Sequence, residues 1–102
     1  MAMKAVWNDT VIAEADKDDL IYIEGNWYFP PASVKFDLLE KSPTPYTCPW
    51  KGECQYYHVV VEGAKDADAA FSYPEPKPSA IERMHKDFSG YVAFWRNVKV
   101  SG

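Results

Sequence analysis

The stretch Gln55-Tyr56-Tyr57-His58-Val59-Val60-Val61 decides the fold. Its residues are almost all aromatic or β-branched, the types that favour extended backbone on a half-buried pleated surface. Because side chains alternate across a strand, Tyr56 and Tyr57 must point to opposite faces. The stretch therefore predicts a β-strand, and the rest of the chain is interpreted around it.

Upstream of this strand, short apolar segments alternate with turn residues. Residues 4–14 predict a hairpin around Asn8-Asp9, and residues 20–29 predict a second hairpin around Gly25-Asn26. Closer to the strand, Ser42-Pro43-Thr44-Pro45 predicts a stiff turn, since each proline fixes its own backbone and restrains the residue before it.

Downstream, residues 68–73 predict another strand in which Phe71 and Tyr73 share a face. Prolines at alternate positions then exclude regular structure as far as Pro78. Residues 79–88 predict the single helix, and short strands close the chain. The helix prediction rests on apolar residues and one histidine at spacings of three and four: Ile81, Met84, His85 and Phe88.

Together these segments predict a mainly β protein with seven to nine short strands and one short helix near residues 79–88. Closely spaced strands with tight turns indicate a compact β-barrel or a bent two-sheet sandwich. A chain of 102 residues has room for a single core, so we expect one domain over residues 1–102.

Charge and hydropathy argue against two classes of partner, nucleic acids and membranes. The net charge is −4, from fifteen acids and eleven bases, and the bases are scattered along the chain. Nucleic-acid binding draws on clustered cations that neutralise phosphates, so we expect no nucleic-acid partner. No apolar stretch approaches a membrane span and no secretory leader is evident, so we expect a cytoplasmic protein with no membrane partner.

A candidate site lies at Thr47-Cys48-Pro49-Trp50-Lys51-Gly52, called the corner below. Pro49 restrains Cys48 towards extended backbone, and Gly52 permits a turn that a side chain would disfavour. The corner is therefore a rigid bend that can point a thiol, an indole ring and an ammonium group into one small volume.

The corner and three other motifs carry a family resemblance. The chain resembles the DUF427 family, small domains of unknown function, over essentially its whole length. The resemblance implies a small, mostly β domain similar to the β-tent architecture. It also brings a nucleotidyltransferase-like label, but we find no Gly-rich phosphate loop and expect no paired Asp-x-Asp metal ligands. The other motifs are Asn26-Trp27-Tyr28-Phe29-Pro30-Pro31, Ala69-Ala70-Phe71-Ser72-Tyr73-Pro74 and Val92-Ala93-Phe94-Trp95.

The leading functional hypothesis is a pocket for a small aromatic or anionic molecule. Ring faces hold planar ligands, and a lysine at the mouth orients a negative group. Core packing alone explains most of the rings in this region, since alternate residues of a strand point in opposite directions. The predicted ligand-binding residues are Trp27, Tyr28, Phe29, Cys48, Trp50, Lys51, Tyr56 and Trp95.

Catalysis by Cys48 is an alternative. A thiolate is a nucleophile, Lys51 could lower its pKa, and His58 or His85 could act as the base if the fold brings one across. The simpler interpretation is a small buried residue in a turn, since free cysteine is among the most buried residue types.

The spacing of the two cysteines argues against a metal site. Cys48 and Cys54 are too widely spaced for a usual zinc knuckle and lack a second close pair, so we expect no metal site. We also expect no cofactor. A homodimer that buries surplus aromatic surface is the third functional alternative.

Overall fold

A computed structural model describes residues 1–102 and places them in nine strands and one α-helix, joined by turns that include three single 3-10 turns. The predicted class, mainly β with one short helix, is confirmed. The strands are β1 Ala2–Trp7, β2 Thr10–Asp16, β3 Ile21–Ile23, β4 Asn26–Phe29, β5 Leu39–Cys48, β6 Gly52–Val61, β7 Ala64–Ser72, β8 Val92–Phe94 and β9 Lys99–Ser101, and the helix α1 is Pro78–Met84.

The strands form two antiparallel sheets. The smaller sheet has the order β2-β1-β9, and the larger has the order β3-β4-β8-β7-β6-β5. Neither order returns to its first strand, so the closed barrel is not formed and the two-sheet alternative holds. The β-tent likeness stays a prediction.

Alternation along the strands builds two cores on opposite faces of the larger sheet. The first core contains buried residues of both sheets and therefore lies between them, with Phe29 fully buried in it. The second core covers the other face and includes Tyr28, Phe71 and Ala80 of α1. In β6, Tyr57 packs against the first core and Tyr56 against the second, which confirms the predicted opposition of the two rings.

Both predicted hairpins are present. In β1–β2 the turn residues Asn8 and Asp9 have φ of 51° and 56°, the left-handed conformation that a two-residue hairpin turn requires. In β3–β4 the left-handed residues are Glu24 and Gly25, so this turn lies one residue earlier than predicted.

The predicted stiff turn at residues 42–45 is wrong. These residues lie inside β5, where the pairing with β6 shifts register between Lys41 and Pro45. β5 is an edge strand of the larger sheet, and prolines are tolerated at edges and bulges because no ladder partner needs their missing N–H groups.

The helix is shorter than predicted. It ends at Met84, and His85 adopts the left-handed conformation with φ of 57°. His85 is exposed, so it does not pack with the apolar residues whose spacing it shares in the sequence. Phe88 is fully buried, but in the segment after the helix, which explains why the apolar spacing overestimated the helix length.

Gly52 offers a test of the corner's rigidity, because its φ is +116° and an added Cβ would lie 3.4 Å from the carbonyl oxygen of Glu75. We expect Gly52→Ala to lower the free energy of unfolding by about 2 kcal/mol, through backbone strain and this close contact. Gly63→Ala is the matched control, since Gly63 has φ of +82° but nothing within 4 Å, and strain alone predicts about 1 kcal/mol. Urea unfolding measures both, and equal losses would contradict the close packing of the corner.

Candidate functional site

The corner is the loop of the β5–β6 hairpin. Cys48 and Gly52 are the last paired residues, so Pro49, Trp50 and Lys51 form the loop. The segment before α1 holds it in place: the Lys77 N–H donates to the Lys51 carbonyl at 2.9 Å, and Lys77 Nζ donates to the Pro49 carbonyl at 2.8 Å. These two hydrogen bonds fix the loop from outside the hairpin, as the predicted rigid bend requires.

The Lys51 side chain turns inward from the corner. The residue is only 5% exposed, and its ammonium hydrogen-bonds Glu24 Oε1 on the β3–β4 turn. Nζ also lies 4.9 Å from the ring centroid of Trp50 and 5.2 Å from that of Tyr73, within cation–π range. A buried ammonium is therefore compensated by one carboxylate and two ring faces.

The Glu24 carboxylate is the more accessible partner of this ion pair, with its side chain 56% exposed. The hydrogen bond from Lys51 holds the pKa of Glu24 below its usual value, and partial burial opposes that effect. Glu24 therefore stays ionised at neutral pH.

A cavity of about 330 Å³ opens beside Lys51 and is called the aromatic cavity below. Six of its eight lining residues are hydrophobic, and all six carry aromatic rings. It lies on the face of the larger sheet that carries the second core. The lining residues are Asn26, Tyr28, Tyr46, Lys51, Tyr56, Phe71, Tyr73 and Trp95.

Ring-to-ring contacts fix the walls of the aromatic cavity. Trp95 lies nearly parallel to Tyr56, with centroids 6.3 Å apart, and meets Phe71 edge-on at 5.5 Å. Tyr28 in turn meets Phe71 edge-on at 5.8 Å. Such offset and T-shaped contacts are the favoured aromatic geometries, so the walls are preorganised.

Two of the cavity tyrosines are strongly buried. Burial raises the pKa of Tyr28 and of Tyr73 well above the ordinary value, and the thiols of Cys54 and Cys48 raise each further. Both phenols therefore remain protonated near neutral pH and can donate hydrogen bonds.

Four of the eight predicted ligand-binding residues line this cavity: Tyr28, Lys51, Tyr56 and Trp95. The other four lie elsewhere. Trp50 packs against the Lys51 ammonium from outside the cavity and Cys48 is buried in the second core. Trp27 and Phe29 belong to the opposite face of the sheet, with the first core.

Four lining residues were not predicted: Asn26, Tyr46, Phe71 and Tyr73. The shared face of Phe71 and Tyr73 was a signal in the sequence, since both alternate along β7 and its extension. Asn26 shares a face of β4 with the predicted residue Tyr28, which was a further signal. Tyr46 reaches the cavity only through the pairing of β5 with β6, which no local pattern indicates.

The environment of Cys48 has opposing effects on the pKa of its thiol. Burial raises the pKa of its thiol, but the backbone N–H groups of Lys51 and Trp50 and the Lys51 charge together bring the pKa below its ordinary value. The residue is 5% exposed, His85 lies on the surface, and His58 pairs with Asp68. The fold thus lowers the pKa of the Cys48 thiol but places neither proposed base beside it, and the catalytic role stays a prediction.

Cys54 differs from Cys48. Burial raises the pKa of the Cys54 thiol to about 11, and both cysteines are free. Two thiols in neighbouring positions of one hairpin therefore have opposite tendencies to ionise.

No group of three or more histidine, cysteine or acidic side chains converges in a way that could hold a metal ion. An Asp-x-Asp spacing does occur in the sequence, at Asp66-Ala67-Asp68. In the structure Asp66 accepts two hydrogen bonds from Asn97, both at 3.2 Å, and Asp68 accepts one from the Thr44 hydroxyl at 2.9 Å. Both oxygens of Asp66 are therefore used within the fold, whereas Asp68 Oδ1 is buried without a hydrogen-bond partner, 3.6 Å from His58 Nδ1.

Asp68 holds the Trp95 wall of the cavity. Its carbonyl accepts hydrogen bonds from the Trp95 indole and from Arg96 Nε, and its backbone N–H donates to His58 Nδ1 at 3.0 Å. Asp68 has φ of 53°, a left-handed conformation that turns its carbonyl towards Trp95. This bulge in β7 thereby orients Trp95, a cavity residue that follows the end of the neighbouring strand β8.

A second cavity, of about 390 Å³, lies on the other side of the corner between β6 and the segment before α1. Only one of its eight lining residues is hydrophobic. It contains Glu53, Glu75 and Lys77, but Lys77 already holds the Pro49 carbonyl. The larger cavity therefore has neither the ring faces nor the buried cation of the aromatic cavity.

Fold and site together define a small two-sheet β domain with an aromatic cavity and a buried lysine in its wall. A family model described as a domain of unknown function (DUF427) matches residues 1–101, and the chain belongs to that family. A comparison with curated proteins finds none that matches. No helix in the structure has the length and apolar character needed to cross a bilayer.

Replacing either partner of the Lys51–Glu24 ion pair should affect stability to a different extent. Lys51→Met replaces a buried ammonium with an apolar group of similar length, so we expect the free energy of unfolding to change by less than about 1 kcal/mol. Glu24→Gln leaves the ammonium buried without its counter-charge, and we expect a loss of about 1–2 kcal/mol, reduced by the exposure of Glu24. Chemical denaturation at pH 7 compares them, and a larger loss for Lys51→Met would contradict the assigned roles.

The Asp68 carboxylate should make the stability of the fold depend on pH. The hydroxyls of Ser42 and Thr44 and the nearby His58 and Arg96 hold the pKa of Asp68 below its ordinary value of 3.8, against the effect of burial. Its contribution to stability is therefore complete above that value and is lost as pH falls through the lower, folded-state pKa. Asp68→Asn keeps a residue that tolerates the left-handed conformation and removes the charge.

We therefore expect wild type to lose stability more steeply than Asp68→Asn as pH falls below about 4. Urea unfolding at several pH values between 2.5 and 7 measures the two slopes. Parallel slopes would show that the carboxylate makes no special contribution to folding.

Proposed function

We propose that the aromatic cavity binds a small planar aromatic ligand whose anionic group contacts Lys51. The observation that carries the proposal is the Lys51 ammonium itself, which is almost fully buried in the wall of a cavity otherwise lined mainly by rings. Catalysis is not part of the proposal.

The rings select the ligand's shape. Aromatic faces and edges favour flat apolar molecules, and cavities of this size lie at the small end of ligand sites. A volume of about 330 Å³ therefore suits a molecule of one or two fused rings.

Lys51 selects the ligand's charge. An ammonium has three N–H donors, and Glu24 is its only hydrogen-bond partner in the structure. The remaining donors face Trp50 and Tyr73, whose rings attract the cation but accept hydrogen bonds poorly. A carboxylate or similar group of a ligand would satisfy this donor capacity in a site of low dielectric.

The rim of the aromatic cavity also bears on the alternative of a homodimer. Tyr46 is 48% exposed and Trp95 is 39% exposed, so both rings present apolar surface outward. A second copy of the chain is the other occupant that could cover this surface, and binding that depends on protein concentration would favour it.

The test uses 2-naphthoate, a two-ring aromatic carboxylate, with 2-naphthol as its uncharged counterpart. Calorimetry measures affinity, and the indole N–H signals of the four tryptophans in a nitrogen-proton NMR spectrum locate binding. We expect 2-naphthoate to bind more tightly than 2-naphthol and to shift the Trp95 signal. Lys51→Met should remove most of the difference between the two compounds, because only the carboxylate uses the ammonium.

Two tryptophan variants test whether binding takes place in the aromatic cavity. Trp95→Phe reshapes a cavity wall and should weaken 2-naphthoate binding severalfold, whereas Trp27→Phe alters a ring on the opposite face of the sheet and should leave it unchanged. The proposal fails if neither naphthalene compound binds wild type, or if binding shifts Trp27 and leaves Trp95 unaffected.

A further inference from the structure

We propose that the ligand carries a second anionic group and that Arg96, at the Trp95 side of the aromatic cavity, binds it. This inference rests on the proposed function and narrows the ligand class from aromatic anions to aromatic dianions with two separated acidic groups. Its support comes from the placement, hydrogen bonding and conformation of Arg96.

Arg96 lies directly over a cavity residue. Its guanidinium carbon is 4.8 Å from the ring centroid of Trp95, and Trp95 in turn lines the cavity. The cation also acts on a second lining residue: burial raises the pKa of Tyr56, and the charge of Arg96 opposes that rise. The guanidinium therefore lies next to two residues of the cavity wall, although Arg96 is not itself among the lining residues.

Most of the guanidinium's donors are not used within the protein. Nε donates to the Asp68 carbonyl at 3.2 Å, and this is the one hydrogen bond that Arg96 makes. None of the four ion pairs in the structure includes Arg96. The Asp68 carboxylate, whose pKa the nearby Arg96 charge lowers, accepts one hydrogen bond from Thr44 and forms no ion pair with Arg96. The two terminal nitrogens, which form the fork that grips carboxylates and phosphates, are thus free for an external anion.

The fold does not require an arginine at this position. Residue 96 has φ of 56°, a conformation that glycine or asparagine adopts at lower cost than a long side chain. The turn is held by its neighbours instead, through the two Asn97–Asp66 hydrogen bonds and the bond from the Val98 N–H to the Trp95 carbonyl at 3.1 Å. A strained arginine that contributes little to the turn is consistent with a role in binding.

Lys51 and Arg96 differ in how they bind anions. The buried ammonium acts as a compact point charge inside the cavity, and the exposed guanidinium offers a planar two-point contact at the rim. A flat molecule lying against the Tyr56 and Trp95 rings with one acidic group inward and one outward would meet both cations. Its two acidic groups would then compensate the charges of both cations directly.

The test compares naphthalene-2,6-dicarboxylate, whose two acidic groups lie at opposite ends, with 2-naphthoate, which has one. We expect wild type to bind the dicarboxylate about tenfold more tightly than the monocarboxylate, the ratio typical of one added charge-assisted hydrogen-bond contact. Arg96→Gln should abolish this ratio while leaving 2-naphthoate affinity nearly unchanged. Arg96→Lys, which keeps the charge and loses the fork, should retain only part of it.

Arg83→Gln is the matched control, because Arg83 also stacks on an indole, that of Trp50 at 4.5 Å, but Trp50, unlike Trp95, does not line the aromatic cavity. It should preserve the tenfold ratio. Urea unfolding of each variant confirms that the fold is intact, and Arg96→Asn, which relieves the left-handed strain, provides a second variant without the guanidinium.

The outcomes separate the two proposals. A dicarboxylate that binds wild type no better than 2-naphthoate, or whose advantage survives Arg96→Gln and Arg96→Asn, overturns the role of Arg96 and leaves the aromatic cavity as the binding site. If neither naphthalene acid binds wild type, the proposed function fails and this inference fails with it.

Discussion

The ion pair between Lys51 and Glu24 is the contact on which the site depends, because it joins two turns at distant positions of one sheet. Glu24 lies on the β3–β4 turn and Lys51 on the β5–β6 loop, with β8 and β7 between β4 and β6. In a flat sheet β4 and β6 would be three strand spacings, roughly 14 Å, apart. The sheet must therefore curl, and Asn26 of β4 and Tyr46 of β5 line one cavity for the same reason. The curl also explains why closely spaced strands suggested a barrel although the sheet stays open.

A buried ammonium is a poor way to stabilise a fold. Removing an ion pair from water costs about as much as the pair regains, so an apolar residue of the same length would serve the core equally well. Trp50, Tyr73 and Glu24 compensate the Lys51 charge without filling its donor capacity. That imbalance distinguishes Lys51 from Asp66, whose carboxylate oxygens both accept hydrogen bonds from Asn97 within the protein.

Local chemistry determined what could be predicted from the sequence. The Asn8-Asp9 hairpin and the strand through Tyr56 were predictable because turn residues and alternation act within a few positions. The bulge around Pro45 was not, since only the position of β5 at a sheet edge makes proline acceptable there. The helix end at His85 was missed because the apolar spacing continues to Phe88 after the helical backbone has stopped. In the site, the corner was found from adjacent residues and Asn26 could have been found from its shared face with Tyr28, whereas Tyr46 depends on how β5 pairs with β6.

The prolines of β5 have a consequence for self-association. Pro43 and Pro45 remove two donors from the longest strand at an edge of the larger sheet, so a neighbouring chain could not extend a continuous ladder along it. The opposite edge, β3, has only three residues, and β2 of the smaller sheet is met by the Lys35 N–H, which donates to the Ile12 carbonyl at 2.9 Å. Edge-to-edge growth into fibrils is thereby disfavoured, and two copies of this chain would have to meet through side-chain surfaces instead of shared strands.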